Sequence, residues 1–305
     1  MSDLPKKQNV GEDPTPAAQP ARVLVKRLDD CWDRYRAELK RVRGEFANEY
    51  VHDLRVAIRR LVAAIEVGRA AIHQKKLKKS RRLLKTHLDA FDTLRDIQVQ
   101  LAFAEELQEE TPEIAPYCDT LREREKLLAS RLARRVKEFS STGISRQVAR
   151  LRLALLQQDV ATVEVAVWSS LDEAYAIVQQ RQLTVRAEDP RTIHRTRLAF
   201  KKFRYLVEGI YPLMVNPPAD YLRRLHDYQA AMGEVQDAEI GLQMLDDFAS
   251  RKKADMPGVR AKFEQNYQAR IATFVAGMGE VERFWRPAPD RKFPWEARNH
   301  STKAK

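Results

Sequence analysis

The stretch VHDLRVAIRRLVAAIEV (residues 51–67) returns, with substitutions, as IHRTRLAFKKFRYLVEG (residues 193–209). In both copies an arginine follows the histidine after three residues, and two adjacent cations come four and five residues later. Further on, LKTHLDAFDTLRDIQVQL (residues 84–101) matches LHDYQAAMGEVQDAEIGL (residues 225–242), with Asp96 opposite Asp237. The spacing of the two matches differs by one residue, so both belong to one duplicated unit.

The repeated stretch predicts an amphipathic helix. At about 100° per residue, Arg55, Arg59 and Glu66 fall within roughly 60° of His52. The opposite face is apolar and carries Leu54, Ala57, Ile58, Leu61 and Ile65. The second copy divides in the same way, with His194, Arg197, Lys201 and Glu208 against Ala199, Phe200, Phe203 and Val207. Each helix is therefore expected to have a core-facing stripe and a cationic stripe.

The rest of the chain is also helical in pattern. From Ala21 to Trp285 it is rich in Leu, Ala, Arg, Glu and Gln and lacks alternating β-branched runs, which indicates an all-α fold. Proline and glycine clusters divide it into segments at 21–46, 50–72, 76–109, 115–140, 144–157, 160–186, 190–211, 218–252 and 258–285. The predicted domain therefore spans 21–285, with halves at 21–143 and 144–285. A disordered leader (1–20) and a mobile, basic, Pro-containing tail (286–305) are expected to flank it.

Charge favours an anionic partner. The 305 residues include 55 Lys+Arg and 43 Asp+Glu, a net charge of +12. Nucleic acid, an anionic membrane surface and free polyanions would all be attracted by this surplus.

The two cysteines form no CxxC spacing, so we expect reduced thiols and neither a disulfide framework nor a zinc knuckle. Without a signal-peptide core or an apolar run long enough to span a bilayer, the sequence indicates a cytoplasmic protein with no membrane partner.

Part of this surplus of positive charge is clustered on the repeated helices. A like-charge pair at i,i+4, such as Arg55 and Arg59, costs a few tenths of a kcal/mol. One such helix face is usually just solvated surface, but its duplication favours a polyanion site, because the planar fork of arginine can bind phosphate oxygens in pairs. The segment 76–109 also begins with basic residues, and here a solvated surface and an anion site stay open. The residues concerned are Lys78, Arg82 and Lys85, with Arg223 and His226 at equivalent places in the second copy. Arg95 falls on an apolar stripe and is expected to be a buried ion-pair partner.

The patterns HDLRVAIRR (residues 52–60) and HRTRLAFKKFRY (residues 194–205), with the later LRDIQV and VQDAEI segments, resemble the CHAD domain, a conserved-histidine α-helical domain, over about residues 21–285. The resemblance implies two four-helix bundles related by a pseudo-twofold axis, around a central cavity that binds inorganic polyphosphate, and association with polyphosphate granules. Carried over, the phosphate contacts would be His52, Arg55, Arg59, Arg60, His194, Arg197, Lys201, Lys202 and Arg204. Val62 stands where Arg204 recurs, so the first half is expected to hold phosphate more weakly. Arg82, Lys85 and Arg223 complete the predicted polyphosphate-binding set.

CHAD domains often accompany a CYTH triphosphate-tunnel domain, which is marked by Glu-x-Glu-x-Lys on a strand. This chain offers only EREK (residues 123–126), with different spacing and in a helical segment. A standalone CHAD protein is therefore the better interpretation.

Catalytic signals are weak. His52-Asp53 could be the HD pair of a metal-dependent phosphohydrolase, but the second copy reads His194-Arg195. No HExxH, phosphate-binding Gly-rich loop or Gly-x-Ser-x-Gly elbow occurs, so we expect no enzyme activity, cofactor or metal site. A nucleic-acid binder and a granule scaffold remain open, although only Tyr205 borders a cationic arc as an aromatic stacking platform. Divalent cations could accompany polyphosphate and meet Asp96 or Asp237, whose more ordinary use is a salt bridge between helices.

Overall fold

The computed structural model describes residues 20–72 and 78–296, with side chains omitted for residues 78–80. Within these ranges the chain is helical and forms no β-strand, which confirms the all-α fold. The α-helices are α1 (Pro20–Gly44), α2 (Asn48–Ala71), α3 (Lys78–Asp89), α4 (Asp92–Gln108), α5 (Ala115–Lys137), α6 (Thr142–Leu156), α7 (Val160–Gln182), α8 (Pro190–Ile210), α9 (Tyr221–Lys252) and α10 (Pro257–Gly277). Short 3-10 helices lie at Pro112–Ile114, Tyr211–Leu213 and Met278–Arg283.

Local chemistry sets several helix ends close to the predicted ones. The Asp159 carboxylate accepts a hydrogen bond from the Thr162 N–H at 2.8 Å and caps the start of α7. Asp189 caps α8, whose first residue is Pro190. Helix α9 ends at Lys253, which adopts the left-handed conformation with φ 52°.

The predicted single helix over 76–109 is wrong. The described part of this segment forms two helices, α3 and α4, separated at Ala90 and Phe91. Phe91 is fully buried and packs edge-to-face against Phe139, with ring centroids 6.0 Å apart. Neither proline nor glycine marks the break, so tertiary packing rather than local sequence accounts for it. The equivalent helix α9 is continuous from Tyr221 to Lys252.

The predicted mobile tail is also wrong for residues 286–296, which pack onto the domain. Trp295 is only 8% exposed and stacks on Phe293 at 4.7 Å. Arg286 forms an ion pair of 2.6 Å with Asp172 of α7. Residues 297–305 of the tail, and residues 1–19 of the leader, lie outside the described residues.

Helices α2 and α8 pack against each other at the centre of the molecule, and α4 packs against α9. The neighbouring pairs repeat in the same order: α1 packs on α2 as α7 does on α8, and α4 packs on α5 as α9 does on α10. A Cβ atom on Gly209 would lie 3.1 Å from Cγ2 of Val67, its counterpart in the sequence repeat. Contact between equivalent positions is expected of a local twofold axis between α2 and α8; the duplication itself stays a prediction from the sequence.

The apolar stripes of α2 and α8 face the core. The five apolar residues predicted to face inward from α2 are all buried, and so are Phe200, Phe203 and Val207 of α8. They belong to an apolar cluster that runs from Ala21 of α1 to Trp295 beyond α10. With this stripe fixed in the core, the opposite, cationic stripes of α2 and α8 are directed away from it.

Candidate anion-binding site

Four cations from the two repeated helices meet near the α2–α8 contact. Helix α2 supplies Arg55 and Arg59, and α8 supplies Arg197 and Lys201; we call these four residues the central cluster. Burial, followed by the positive charges of Arg59 and Arg197, lowers the pKa of Lys201 to about 8, and Arg55 acts in the same direction. Because α2 and α8 pack together and the cations of both helices act on Lys201, we infer that the two cationic stripes converge.

Arg55 is partly neutralised by the protein itself. Its side chain is 12% exposed, and Nη1 lies 3.2 Å from Oδ1 of Asp92 on α4. Nη1 is buried but makes no hydrogen bond of good geometry, so the contact is an ion pair alone. Burial lowers the pKa of Arg55, and the Asp92 carboxylate opposes that effect.

Arg197, the counterpart of Arg55, has no such carboxylate. Gly233 of α9 occupies the position equivalent to Asp92, and a Cβ atom on this glycine would lie 3.8 Å from Nε of Arg197. That Nε atom is buried without a hydrogen-bond partner among the described residues. Arg59 and Lys201 likewise form no ion pair within the described ranges. Within the described ranges three cations of the central cluster therefore make no direct ion pair, while the carboxylates of Asp237 and Asp92 lie near enough to act on Arg197 and Lys201 respectively.

The first half adds a pocket beside the central cluster. It lies between α2, α4 and α5, has a volume of about 380 Å³ and is lined by the cationic or basic side chains of His52, Arg55 and Arg95 and by the carboxylates of Glu105 and Glu125, among others. The expectation that Arg95 is a buried ion-pair partner is wrong, because its side chain is exposed and forms no ion pair among the described residues. Arg95 is the cation that reasoning from the sequence missed.

The second histidine is held by a neighbour. His194 is half-buried, and its Nδ1 hydrogen-bonds Oε1 of Gln236 on α9. Because an amide oxygen only accepts, Nδ1 must carry the proton, and Nε2 can donate to a phosphate only when the ring is charged. Gln236 is the counterpart of Arg95 in the sequence repeat, so the two histidines have similar but not identical surroundings.

Two aspartates, Asp96 of α4 and Asp237 of α9, lie close to the cations. Burial raises the pKa of both carboxyl groups, and the Asp237 charge raises that of Asp96 further. Arg55 and Arg95 act on Asp96 in the opposite sense, as Arg197 and Arg95 do on Asp237. In the two described ranges, no group of three or more His, Cys, Asp or Glu side chains is placed to hold a metal ion.

Of the remaining predicted contacts, two are exposed, one is buried, and three lie on α3 or α9. Arg60 and Lys202 are exposed and form no ion pair within the described ranges. Arg204 is buried, forms a 3.1 Å ion pair with Glu208 and covers the ring of Tyr205 at 4.6 Å, which leaves it unsuited to a ligand.

Three further predicted residues, all on α3 or α9, lie apart from the cluster or are already paired. Arg223 is paired with both Asp220 and Asp227, at 3.3 Å and 3.1 Å. Lys85 is exposed on α3. Arg82, also on α3, lines a separate groove against α6. The structure therefore brings together the cations of α2 and α8 and leaves these three outside the central cluster.

The carboxylate next to His52 has another role. Asp53 lies 3.7 Å from Arg34 and 3.5 Å from Arg41, both on α1. The same two arginines bind the buried Glu38. Asp53 thus joins a network that ties α2 to α1, as a structural carboxylate rather than a partner of His52.

Comparison with known proteins agrees with this architecture. The family model described as the CHAD domain matches residues 26–246. A solved structure, described as the CHAD domain from the plant Ricinus communis, superposes with a TM-score of 0.59 and 16% sequence identity, covering 97% of this chain and 98% of that one. No curated protein matches the chain. In the described part of the chain, none of the helices has the length and apolar character needed to cross a membrane.

Proposed function

Because this chain belongs to the CHAD family, we propose that it binds inorganic polyphosphate, with the central cluster as the main contact surface. The observation that carries the proposal is the convergence of Arg55 and Arg59 of α2 with Arg197 and Lys201 of α8, whose charges, after burial, lower the pKa of Lys201. Bringing like charges together in a partly buried place costs free energy in the unliganded protein. A phosphate chain would supply the missing counter-charge.

The types of side chain favour phosphate oxygens as the ligand. Arginine presents a planar fork of donors that can bind two phosphate oxygens at once, and three of the four cluster members are arginines. Arg60, Lys202 and Arg95 extend the positive surface, while His52 and His194 add donors when protonated. The second half is expected to hold phosphate more firmly, because Gly233 leaves Arg197 without the ion pair that Asp92 makes to Arg55.

Nucleic acid is a weaker candidate for the same surface. Proteins that bind single strands usually offer aromatic faces on which bases stack. Tyr205, the aromatic residue that borders the cationic stripe of α8, is half-buried and already covered by the guanidinium of Arg204. The ligand contacts proposed here are therefore purely ionic and hydrogen-bonding.

The proposal is one of binding without a chemical step. Asp53 is tied to α1 by two arginines, so the His52-Asp53 pair lacks the geometry of a metal-binding HD site. We further propose that the protein resides in the cytoplasm at polyphosphate granules. Co-localisation of a fluorescent fusion with stained granules in cells, and its loss in a strain without polyphosphate, test this location.

The binding test is a calorimetric titration of the full chain with long-chain polyphosphate, DNA and RNA at matched phosphate concentrations, across a salt series. We expect polyphosphate to bind most tightly, with log Kd changing by about 3 per decade of salt if four phosphates are neutralised, by analogy with single-stranded nucleic acids. Replacing Arg55, Arg59, Arg197 and Lys201 by Gln should abolish most of this binding. A control variant with Arg124, Lys126, Arg131 and Arg134 replaced by Gln removes four exposed charges from α5. Equal affinity of the two variants, or preference for DNA, would overturn the proposal.

A further inference from the structure

A second basic groove lies between α3 and α6. It has a volume of about 570 Å³ and is lined by Arg82, Leu83, Thr86, Gly143, Arg146, Gln147 and Arg150. The lining includes three arginines and no carboxylate, and none of the three forms an ion pair within the described ranges. Elsewhere on the surface some arginines, such as Arg122 and Arg260, are paired with acids, whereas others, such as Arg124, form no ion pair within the described ranges. The groove differs from these in that its three unpaired arginines line one cavity.

These arginines are closely spaced, and because no acid of the described ranges lies among them their positive charges repel each other. Arg146 and Arg150 are four residues apart on α6, so their side chains lie on one face of the helix and repel each other. Arg82 of α3 adds a third positive charge from the opposite wall of the groove. All three are exposed and can reach a ligand without repacking of the core.

The start of α6 adds to the same positive potential. This helix begins at Thr142 with no side-chain cap and no acidic residue in its first turn, and Gly143 of that turn lines the groove. Its first N–H groups and the positive end of its dipole therefore reinforce the arginines. Gln147 contributes an amide that can also donate to phosphate oxygens.

We propose that the α3–α6 groove is a second phosphate-binding site, separate from the central cluster, and that it takes internal or terminal phosphates of a polyphosphate chain. None of the residues that line it is aromatic, so it offers no stacking surface for the bases of a nucleic acid. The identification of the ligand as polyphosphate rests on the proposed function; the presence of an anion site in the groove does not.

Two sites on one chain have a consequence for ligand length. A short polyphosphate chain occupies only one site at a time. A polyphosphate chain long enough to reach both sites binds more tightly, because the segment bound at one site raises the effective concentration of the other segment at the second site. Removal of the groove should therefore affect long chains more than short ones.

The test compares four variants of the full chain by calorimetry. The groove variant carries Arg82→Gln, Arg146→Gln and Arg150→Gln; the matched control carries Arg124→Gln, Lys126→Gln and Arg131→Gln on α5. The third is the variant of the central cluster, and the fourth combines the central and groove changes. Glutamine is a good helix former, and circular dichroism checks that each variant is folded. The probes are tripolyphosphate, long-chain polyphosphate and single-stranded DNA at equal phosphate concentration.

We expect tripolyphosphate to bind the unmodified protein at two sites and both the groove and central variants at one. For long-chain polyphosphate, the groove variant should bind about tenfold or more weakly than the control. Equal stoichiometry and affinity in the groove and control variants would overturn the second site, even if the central variant fails to bind. Retention of one tripolyphosphate site by the central variant, lost when the groove is also changed, would support the groove independently of the central cluster. Tighter binding of DNA than of polyphosphate through the groove would refute the ligand assignment.

Discussion

Gln100 of α4 lies against Gly241 of α9, the residue that occupies its own place in the second copy of the repeat, and its Nε2 donates a hydrogen bond of 2.7 Å to the carbonyl oxygen of Asp237. Together with the contact between Val67 and Gly209, this gives two points at which equivalent residues meet. Both contacts depend on a glycine that lets one helix approach the other closely.

Replacing Gly241 by Ala should destabilise the protein. A Cβ atom there would come within 2.9 Å of Cδ of Gln100, so the buried amide would have to move and give up its hydrogen bond. We expect a loss of about 1–3 kcal/mol in the free energy of unfolding, measured by denaturant titration. The control is Gly277→Ala, where no atom lies within 4 Å of the added methyl group. Equal stability of the two variants would mean that α4 and α9 can separate at little cost.

We expect Lys201 to destabilise the folded protein while contributing to polyphosphate binding. Its pKa falls from 10.5 to about 8 on folding, so between these pH values the unfolded chain binds more protons and stability rises with pH. Replacing Lys201 by Met should raise the free energy of unfolding at pH 7 by up to about 3 kcal/mol and flatten the pH dependence between 8 and 10.5. The same change should weaken polyphosphate binding. Lys202→Met, at an exposed neighbour, serves as control; a Lys201 variant with unchanged stability and affinity contradicts the convergence of charges.

The carboxylate of Asp92 should compete with phosphate for Arg55. Asp92→Asn removes the ion pair of 3.2 Å, and we expect polyphosphate affinity to rise by about two- to fivefold, equivalent to roughly 0.5–1 kcal/mol. The converse change, Gly233→Asp, places a carboxylate beside Arg197 and should lower the affinity by a similar factor. Calorimetric titration measures both. The idea fails if the two substitutions shift affinity in the same direction.

His87 should make the protein less stable in mild acid. The ring is buried, stacks on Phe139 and shares a hydrogen bond of 3.0 Å with the Tyr35 hydroxyl. Burial, with the charges of Arg43 and Arg135, lowers its pKa from 6.5 to about 4. Between these values the unfolded chain binds the extra proton, so stability decreases as pH falls from 6.5 towards 4.

The test for His87 is the pH dependence of stability in His87→Phe, which keeps the stacking but cannot take up a proton. The variant should lose about 1–3 kcal/mol at pH 7, because the Tyr35 hydroxyl is left without its partner. Its free energy of unfolding should then decrease less steeply than that of the unmodified protein between pH 6.5 and 4. Parallel curves would show that His87 does not titrate in this window.

Helix positions and the cationic stripes could be predicted from the sequence because both depend on local periodicity. The stripe that places Arg55 and Arg59 opposite Leu54 and Ile58 is visible in one window of sequence. The break at Phe91 was not predictable, since it results from packing against Phe139, which is distant in the sequence. Likewise, the packing of Trp295 onto the domain involves partners far back along the chain.

The charge pairing within the site could not be read from the sequence either. Arg204 carries the same charge as Lys201 and lies one helical turn beyond it. It is buried and paired with Glu208, so it is not available to a ligand. Arg55 and Arg197 occupy equivalent positions, yet among the described residues only Arg55 forms a direct ion pair, because the counterpart of Asp92 on α9 is Gly233. Whether a cation is paired depends on which residue a neighbouring helix places against it.

The contacts between equivalent residues also bear on the boundary between the predicted halves at residues 143 and 144. The larger apolar cluster includes residues from α1 to the segment beyond α10, and a smaller one joins α4 and α5 to α9 and α10. Helix α6, which lies almost entirely in the second half, packs on α1 and α2 of the first. A fragment ending at this boundary would present the apolar flanks of α1 and α2 to water. The two halves predicted from the sequence thus share their apolar cores, so we expect a substitution that loosens the packing between them to lower the stability of both.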